Sequence, residues 1–123
     1  MQNLITVDEE NKVFHLHNKQ ISYLFSVEQG ATLAHLYFGK RIRKYHGQLK
    51  YLRLLRGFSG NLADVPGREF SRDTLPEEYS SAGEMDYRTP ATVLYQKNSS
   101  NSILLRYKSY EIVAGKPKLN GLP

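Results

Sequence analysis

The sequence predicts a mainly β fold: an antiparallel β-sandwich with a long ordered loop and at most one short helix. Three observations lead there. Hydrophobicity alternates with period two through much of the stretch from Ile5 to Phe38, where a helix would show a period of 3.6. Polar and glycine-containing turn clusters punctuate that stretch at short intervals. Tyrosine is abundant, at nine residues, and tryptophan is absent, a balance that suits sheets with one face half wet.

Taken in order, Ile5–Asp8 reads as a short strand and Glu9-Glu10-Asn11-Lys12 as a polar turn. Val13–His17 returns as the partner strand, followed by the turn Asn18-Lys19-Gln20. In Ile21–Val27, Ile21, Tyr23, Phe25 and Val27 share one face and Ser22, Leu24 and Ser26 the other. Glu28-Gln29-Gly30 is a turn. Ala31–Phe38 is the next strand, with Leu33, His35 and Tyr37 on one side and Thr32, Ala34, Leu36 and Phe38 on the other. Strands joined by such short turns describe an antiparallel meander.

From Lys40 to Ser59 the pattern weakens. Leu49–Leu55 suits a strand or a short helical turn, and Arg56–Asn61, with two glycines and an Asn, is irregular. Asp73 or Thr74 can cap one helical turn over Pro76–Tyr79, since Pro suits a first turn and Glu77 and Glu78 suit its positive end. A connection this long in a compact domain is usually functional or fixed by neighbouring surfaces.

Tyr79–Ala91 is the most distinctive run. Gly83 permits a backbone turn closed to other residues. Asp86 can fold back on nearby N–H groups, and Arg88 offers a five-donor fork. Pro90 holds Thr89 extended, so the chain leaves the loop as a strand. Gly83, Asp86, Tyr87, Arg88 and Pro90 are read as a structural loop, with Asp86 and Arg88 its fixing pair. Ala91–Gln96 is then a strand, Lys97–Asn101 an exposed turn, and Ile103–Val113 a long strand with room for a bulge. The run Leu119–Pro123 begins a new segment, so residues 1–123 are expected to be an incomplete domain.

At 123 residues the chain is one domain or a piece of one. The absence of cysteine removes disulfides and thiolate metal sites and suits a reducing cytoplasm, the expected location. No run of apolar residues is long enough for a membrane-spanning helix, and the N-terminal residues lack the pattern of a secretory signal. The formal charge is +5, with the excess concentrated between Lys40 and Arg56. Basic clusters alone are weak evidence, so the run reads as a solvated or interface-lining loop rather than a nucleic-acid patch.

Few residues suggest chemistry. His15 and His17 share a strand face and could begin a metal site, but spacing supplies no third ligand. Asp64, Asp73, Asp86 and the Glu residues qualify as glycosidase carboxylates by residue type alone. Gly57-Phe58-Ser59-Gly60 lacks the spacing of a nucleophile elbow.

Arg56–Asn61, Phe70–Tyr79 and Ser80–Ala91 resemble the start of bacterial α-galactosidases of glycoside hydrolase family 36, as do the opening meander and Arg106–Val113. The resemblance implies the first portion of a β-supersandwich that precedes a catalytic (β/α)8 barrel. It implies a retaining α-galactosidase whose two catalytic aspartates lie beyond Pro123, so no catalytic residue falls in this chain. It implies no metal or organic cofactor, and a homo-oligomer in which a sandwich loop, here Arg53–Asn61, reaches a neighbour's active site. Arg56 and Phe58 are then candidates for the substrate edge. Leu52 and Leu55 stand where the family pattern has Pro and Asp; an Asp there could bond sugar hydroxyls and Leu55 cannot.

The chain is therefore expected to be a non-catalytic sandwich segment of an α-galactosidase, acting in domain packing and subunit assembly. α-Galactoside oligosaccharides are its ligands only in the longer protein, and neither nucleic acid nor membrane is a partner. The alternative is a stand-alone carbohydrate-binding or protein-interaction β module.

Overall fold

The computed structural model describes residues 4–45, 70–83, 86–116 and 121. The readings placed on Leu49–Leu55, the Arg53–Asn61 loop and Asp64 lie outside the described residues.

The organising element is a four-stranded antiparallel meander in the order β1-β2-β3-β4. Its strands are β1 (Ile5–Asp8), β2 (Val13–His17), β3 (Ile21–Glu28) and β4 (Thr32–Lys40). The fold class is thus mainly β and antiparallel, as the alternation predicts.

Local chemistry makes the turns. The Asp8 carboxylate accepts from the backbone N–H of Asn11 at 3.0 Å and from its side-chain amide at 2.9 Å. The Asn18 side-chain oxygen accepts from the N–H groups of Gln20 and Ile21 at 2.7 and 2.9 Å. β4 begins at Thr32, one residue later than predicted, because Ala31 sits in the left-handed region with φ 54° after Gly30 at 69° and closes a 3-10 turn, Gln29–Ala31.

Register fixes two faces. Val13, His15, Ser22, Leu24, Ser26, Thr32 and Ala34 share one and are all buried. Phe14, Leu16, Tyr23, Phe25, Leu33 and His35 share the other, where Phe14 stacks on Phe25 with ring centroids 4.9 Å apart. A bulge in β4 breaks the predicted alternation. Leu24 pairs with Tyr37 but Phe25 pairs with His35, which leaves Leu36 as the extra residue. Tyr37 therefore lies on the Ala34 face instead of joining His35. Phe38 crosses to the aromatic face, where its ring meets Tyr23 edge-on at 6.2 Å.

The predicted helical turn at Pro76–Tyr79 does not form. That segment runs along the open edge of β4: His35 N–H donates to the Pro76 carbonyl at 2.7 Å, and Glu78 N–H to the Leu33 carbonyl at 3.0 Å. An unpaired strand edge offers these residues hydrogen bonds that a single isolated turn cannot match. Phe70 and Leu75 pack on Ala34 and form the buried apolar cluster on that side.

The predicted strands Ala91–Gln96 and Ile103–Val113 are a second correction. Both segments lie outside any ladder, and the nearest pairing is an isolated parallel bridge between Ser81 and Thr92. Their period-two pattern has no neighbouring strand to pair with among the described residues.

Candidate functional site

Pro76–Glu78 lies along the β4 edge, and the charged side chains around it form the densest polar constellation among the described residues. The bridge between Ala34 and Glu77 places Glu77 on the buried Ala34 side, where Arg72 Nε donates to its Oε1 at 2.7 Å. Both side chains are almost wholly buried. Glu78 projects to the opposite face. It accepts from the Tyr23 hydroxyl and lies 2.7 Å from His35 Nδ1. One edge segment thus ties the two faces of the sheet.

The loop residues singled out in the sequence fall in this assembly. Arg88 Nε and Nη2 donate to Asp86 Oδ1 and Oδ2 at 2.9 and 2.7 Å, a bidentate fork. The same guanidinium donates to the Arg72 carbonyl at 2.7 Å and to the Leu75 carbonyl. Its Nη2 also stands 3.7 Å from Glu77 Oε2, too far for a hydrogen bond but within ion-pair range. Arg72, Glu77, Asp86 and Arg88 form one charge-balanced network that pins Tyr79–Ala91 to the β4 edge.

Gly83 has φ +142°, and a Cβ there would stand 2.9 Å from Ser102 Oγ and 3.0 Å from the Ile103 carbonyl oxygen. Glycine is required both by conformation and by that close approach. Asp86 N–H returns to the Gly83 carbonyl at 3.0 Å, closing the loop. Tyr87 points outward and is highly exposed. After Pro90 the chain is held by Ala91 N–H, which donates to the Ser80 carbonyl at 3.0 Å. Arg56 and Phe58, the substrate-edge candidates, lie outside the described residues.

The electrostatics follow from these contacts. The Arg88 hydrogen bonds hold the Asp86 carboxyl below the usual carboxylate range despite its burial, and Asp86 raises Arg88 in return. Burial pushes the Glu77 carboxyl up against the pull of Arg72. Burial and then the Glu78 hydrogen bond raise the Tyr23 phenol. Neither carboxylate of the network is set up as a free acid or base, since each is committed to a guanidinium.

The histidine pair is brought together, with ring centroids 4.7 Å apart. His15 Nε2 is committed to Ser22 Oγ at 2.8 Å, and burial, then His17 and Arg41, lower its pKa. Among the described residues no group of three or more His, Asp or Glu side chains converges as a metal site would require. Asp73 accepts from the Ser71 hydroxyl.

Sequence reasoning assigned no role to Arg72 and read Glu77 and Glu78 as helix-start acids. The available signal was the density of charge after Phe70, where three acids, Asp73, Glu77 and Glu78, follow Arg72 within six residues.

Comparison with known proteins decides the family. The model of the glycosyl hydrolase family 36 N-terminal domain matches residues 31–123. The chain belongs to this family. It is 64% identical over 121 residues to α-galactosidase Mel36A of Lactobacillus acidophilus, covering 98% of this chain and 16% of that protein. The crystal structure of the family 36 α-galactosidase AgaB from Geobacillus stearothermophilus matches with a TM-score of 0.80 at 43% identity, over 97% of this chain and 16% of that one. The A355E D548N form of AgaA from the same organism, solved in complex with raffinose, matches with a TM-score of 0.78 at 44% identity, over 91% of this chain and 16% of that one. The chain therefore spans about one sixth of the length of these relatives.

Proposed function

We propose that this chain is the non-catalytic N-terminal sandwich segment of an α-galactosidase that removes terminal α-galactosyl residues from oligosaccharides. The observation that carries the reading is the commitment of its buried carboxylates. Asp86 is forked by Arg88, and Glu77 is held by Arg72. Retaining glycosidases instead need two carboxyls facing each other across the sugar at about 5–5.5 Å. The segment's work is then packing and assembly: it presents a rigid edge and the 79–91 loop to the rest of the enzyme. The oligosaccharide class is supported by the raffinose complex of AgaA, a relative 44% identical over 91% of this chain.

Subunit assembly belongs to the same proposal. The aromatic face ends in an open groove of about 500 Å³ lined by Leu4, Ile5, Leu16, Ile21 and Phe38, apolar surface of the kind that marks interfaces. Light scattering at rising concentration tests it; a monomer throughout rejects self-association. Incubating the purified chain with an aryl α-galactoside tests the catalytic claim. No turnover is expected, and turnover by this chain alone would reject the reading.

A further inference from the structure

We propose that His15 is an acid-sensitive latch: with its ring neutral it holds residues 41–45 against the sheet, and protonation of the ring releases them. The latch is built from β2, β3 and the chain leaving β4, so it does not depend on the glycosidase reading.

Its parts form a relay of three residues. His15 Nε2 lies 2.8 Å from Ser22 Oγ, and Ile42 N–H donates to the same oxygen at 3.0 Å. His15 and Ser22 are both buried, at 7% and 0% exposure. β4 ends at Lys40, and Arg41 N–H still donates to the Gln20 carbonyl at 2.8 Å. At Ile42 the tie to the sheet passes to a side chain, the Ser22 hydroxyl. Ser22 has one proton to place. Its alternative acceptor, the Ile42 carbonyl, is 3.5 Å away, at the limit of a hydrogen bond. The hydroxyl therefore donates to His15 Nε2, which can accept only while the ring is neutral.

A proton on Nε2 removes that acceptor. Two donors then face Ser22 Oγ, and its hydroxyl is left with the distant Ile42 carbonyl. The new charge also meets other cations. The His17 ring stands beside His15, centroids 4.7 Å apart, and Arg41 adds its charge from the segment itself. Burial first, then His17 and Arg41, hold the ring below the ordinary histidine pKa. A cavity of about 450 Å³ adjoins His15, lined also by Asp8, Arg43, Lys44 and Tyr45. Asp8 is the one carboxylate lining it among the described residues, and it already accepts two hydrogen bonds from Asn11. Positive charge thus outnumbers negative around the ring. Moving 41–45 away removes Arg41, Arg43 and Lys44 and opens His15 to water, so protonation and release favour each other. The sign follows from the depressed folded pKa. The latch is fully closed above the exposed value of about 6.5 and weakens as pH falls through the folded one. The released residues lead into the basic run Lys40–Arg56, so mild acid frees the start of that run.

Amide exchange of the chain, read residue by residue by NMR at pH 7 and pH 5 and corrected for intrinsic rates, tests the latch. Protection of Ile42 is expected to fall at least about threefold at pH 5, while protection of Leu24, in the middle of β3, holds. In His15→Gln, which stays neutral, Ile42 protection should not depend on pH. Arg41→Gln, a change at an exposed side chain, should lessen the loss seen in the parent chain, and it decides the matter if His15→Gln does not fold. An Ile42 amide that is unprotected at pH 7, or equally protected at both pH values, overturns the latch. So does a loss that persists in His15→Gln or is undiminished in Arg41→Gln. A parallel loss at Leu24 overturns it as well, since the whole sheet would then be opening.

Discussion

Removing the Arg88 side chain should cost the fold about 3–4 kcal/mol. Two of its hydrogen bonds go to Asp86 at 2.9 and 2.7 Å, and others go to the carbonyls of Arg72 and Leu75. Arg88→Ala leaves Asp86, whose side chain is 1% exposed, as an uncompensated buried charge. Breaking one side of a buried pair costs about 3–5 kcal/mol. The guanidinium is itself 37% exposed, and solvent screening places the value at the low end of that range. For a domain of this size each kcal/mol moves the midpoint by about 3–5 °C, so the melting temperature should fall by about 10–15 °C. Tyrosine fluorescence suits the assay, since the chain has nine tyrosines and no tryptophan. Arg88→Lys keeps the charge but not the fork, and should recover less than half of the loss. In a double-mutant cycle with Asp86→Asn, the combined loss should fall short of the sum by at least about 1 kcal/mol. A loss below about 1 kcal/mol for Arg88→Ala, or strict additivity in the cycle, would refute the pinning role.

Other substitutions probe the same scaffold. Gly83→Ala puts a Cβ 2.9 Å from Ser102 Oγ at φ +142° and should cost about 2 kcal/mol or more, read by urea unfolding. Leu24→Ala empties the fully buried centre of β3, with an expected loss of about 2–5 kcal/mol by thermal melting. Ser22→Ala removes the partner of His15 Nε2 and the acceptor of Ile42 N–H, and should cost about 1–3 kcal/mol. Acid should weaken the fold through Asp86. Its folded pKa is depressed, so its contribution is complete above the unfolded value of about 3.9 and is lost as pH falls through the folded value. Glu77, raised by burial, acts in the opposite sense and gains as pH falls from its folded value to its unfolded one. The urea midpoint against pH should drop below about pH 4, and Asp86→Asn should flatten that drop.

The meander was legible because its partners are adjacent in sequence. The turns after Asp8 and after His17 and the alternation of Ile21–Val27 need nothing from distant residues, and these are found as read. The bulge at Leu36 was not legible. Every residue from Leu33 to Phe38 is compatible with either face, and the register is decided by β3, where Leu24 meets Tyr37 and Phe25 meets His35. Pro76–Tyr79 failed as a helix for a related reason: its local preferences are real, but the open edge of β4 supplies His35 N–H and the Leu33 carbonyl, and tertiary pairing overrides a weak local signal. In the 79–91 loop, Asp86 and Arg88 could be matched because they stand two residues apart. Arg72 and Glu77 join them only once the segment lies along the strand edge.

The two extended arms, 91–96 and 103–113, show the limit of periodicity most directly. Alternation in Ile103–Val113 records which side chains face a surface; it carries no information on whether a neighbouring strand is present. Tyr107 and Tyr110, which strict alternation would put on opposite sides, both lie edge-on to Phe14, at 6.1 and 4.9 Å, so the segment departs from the strand pattern there. The arm is packed on the aromatic face of the sheet through both rings. Ile112 and Val113, at the arm's far end, remain exposed. The strand pattern in the sequence and the partly unpaired backbone in the structure are compatible, because alternation encodes the two sides of a segment and not the presence of a neighbouring strand.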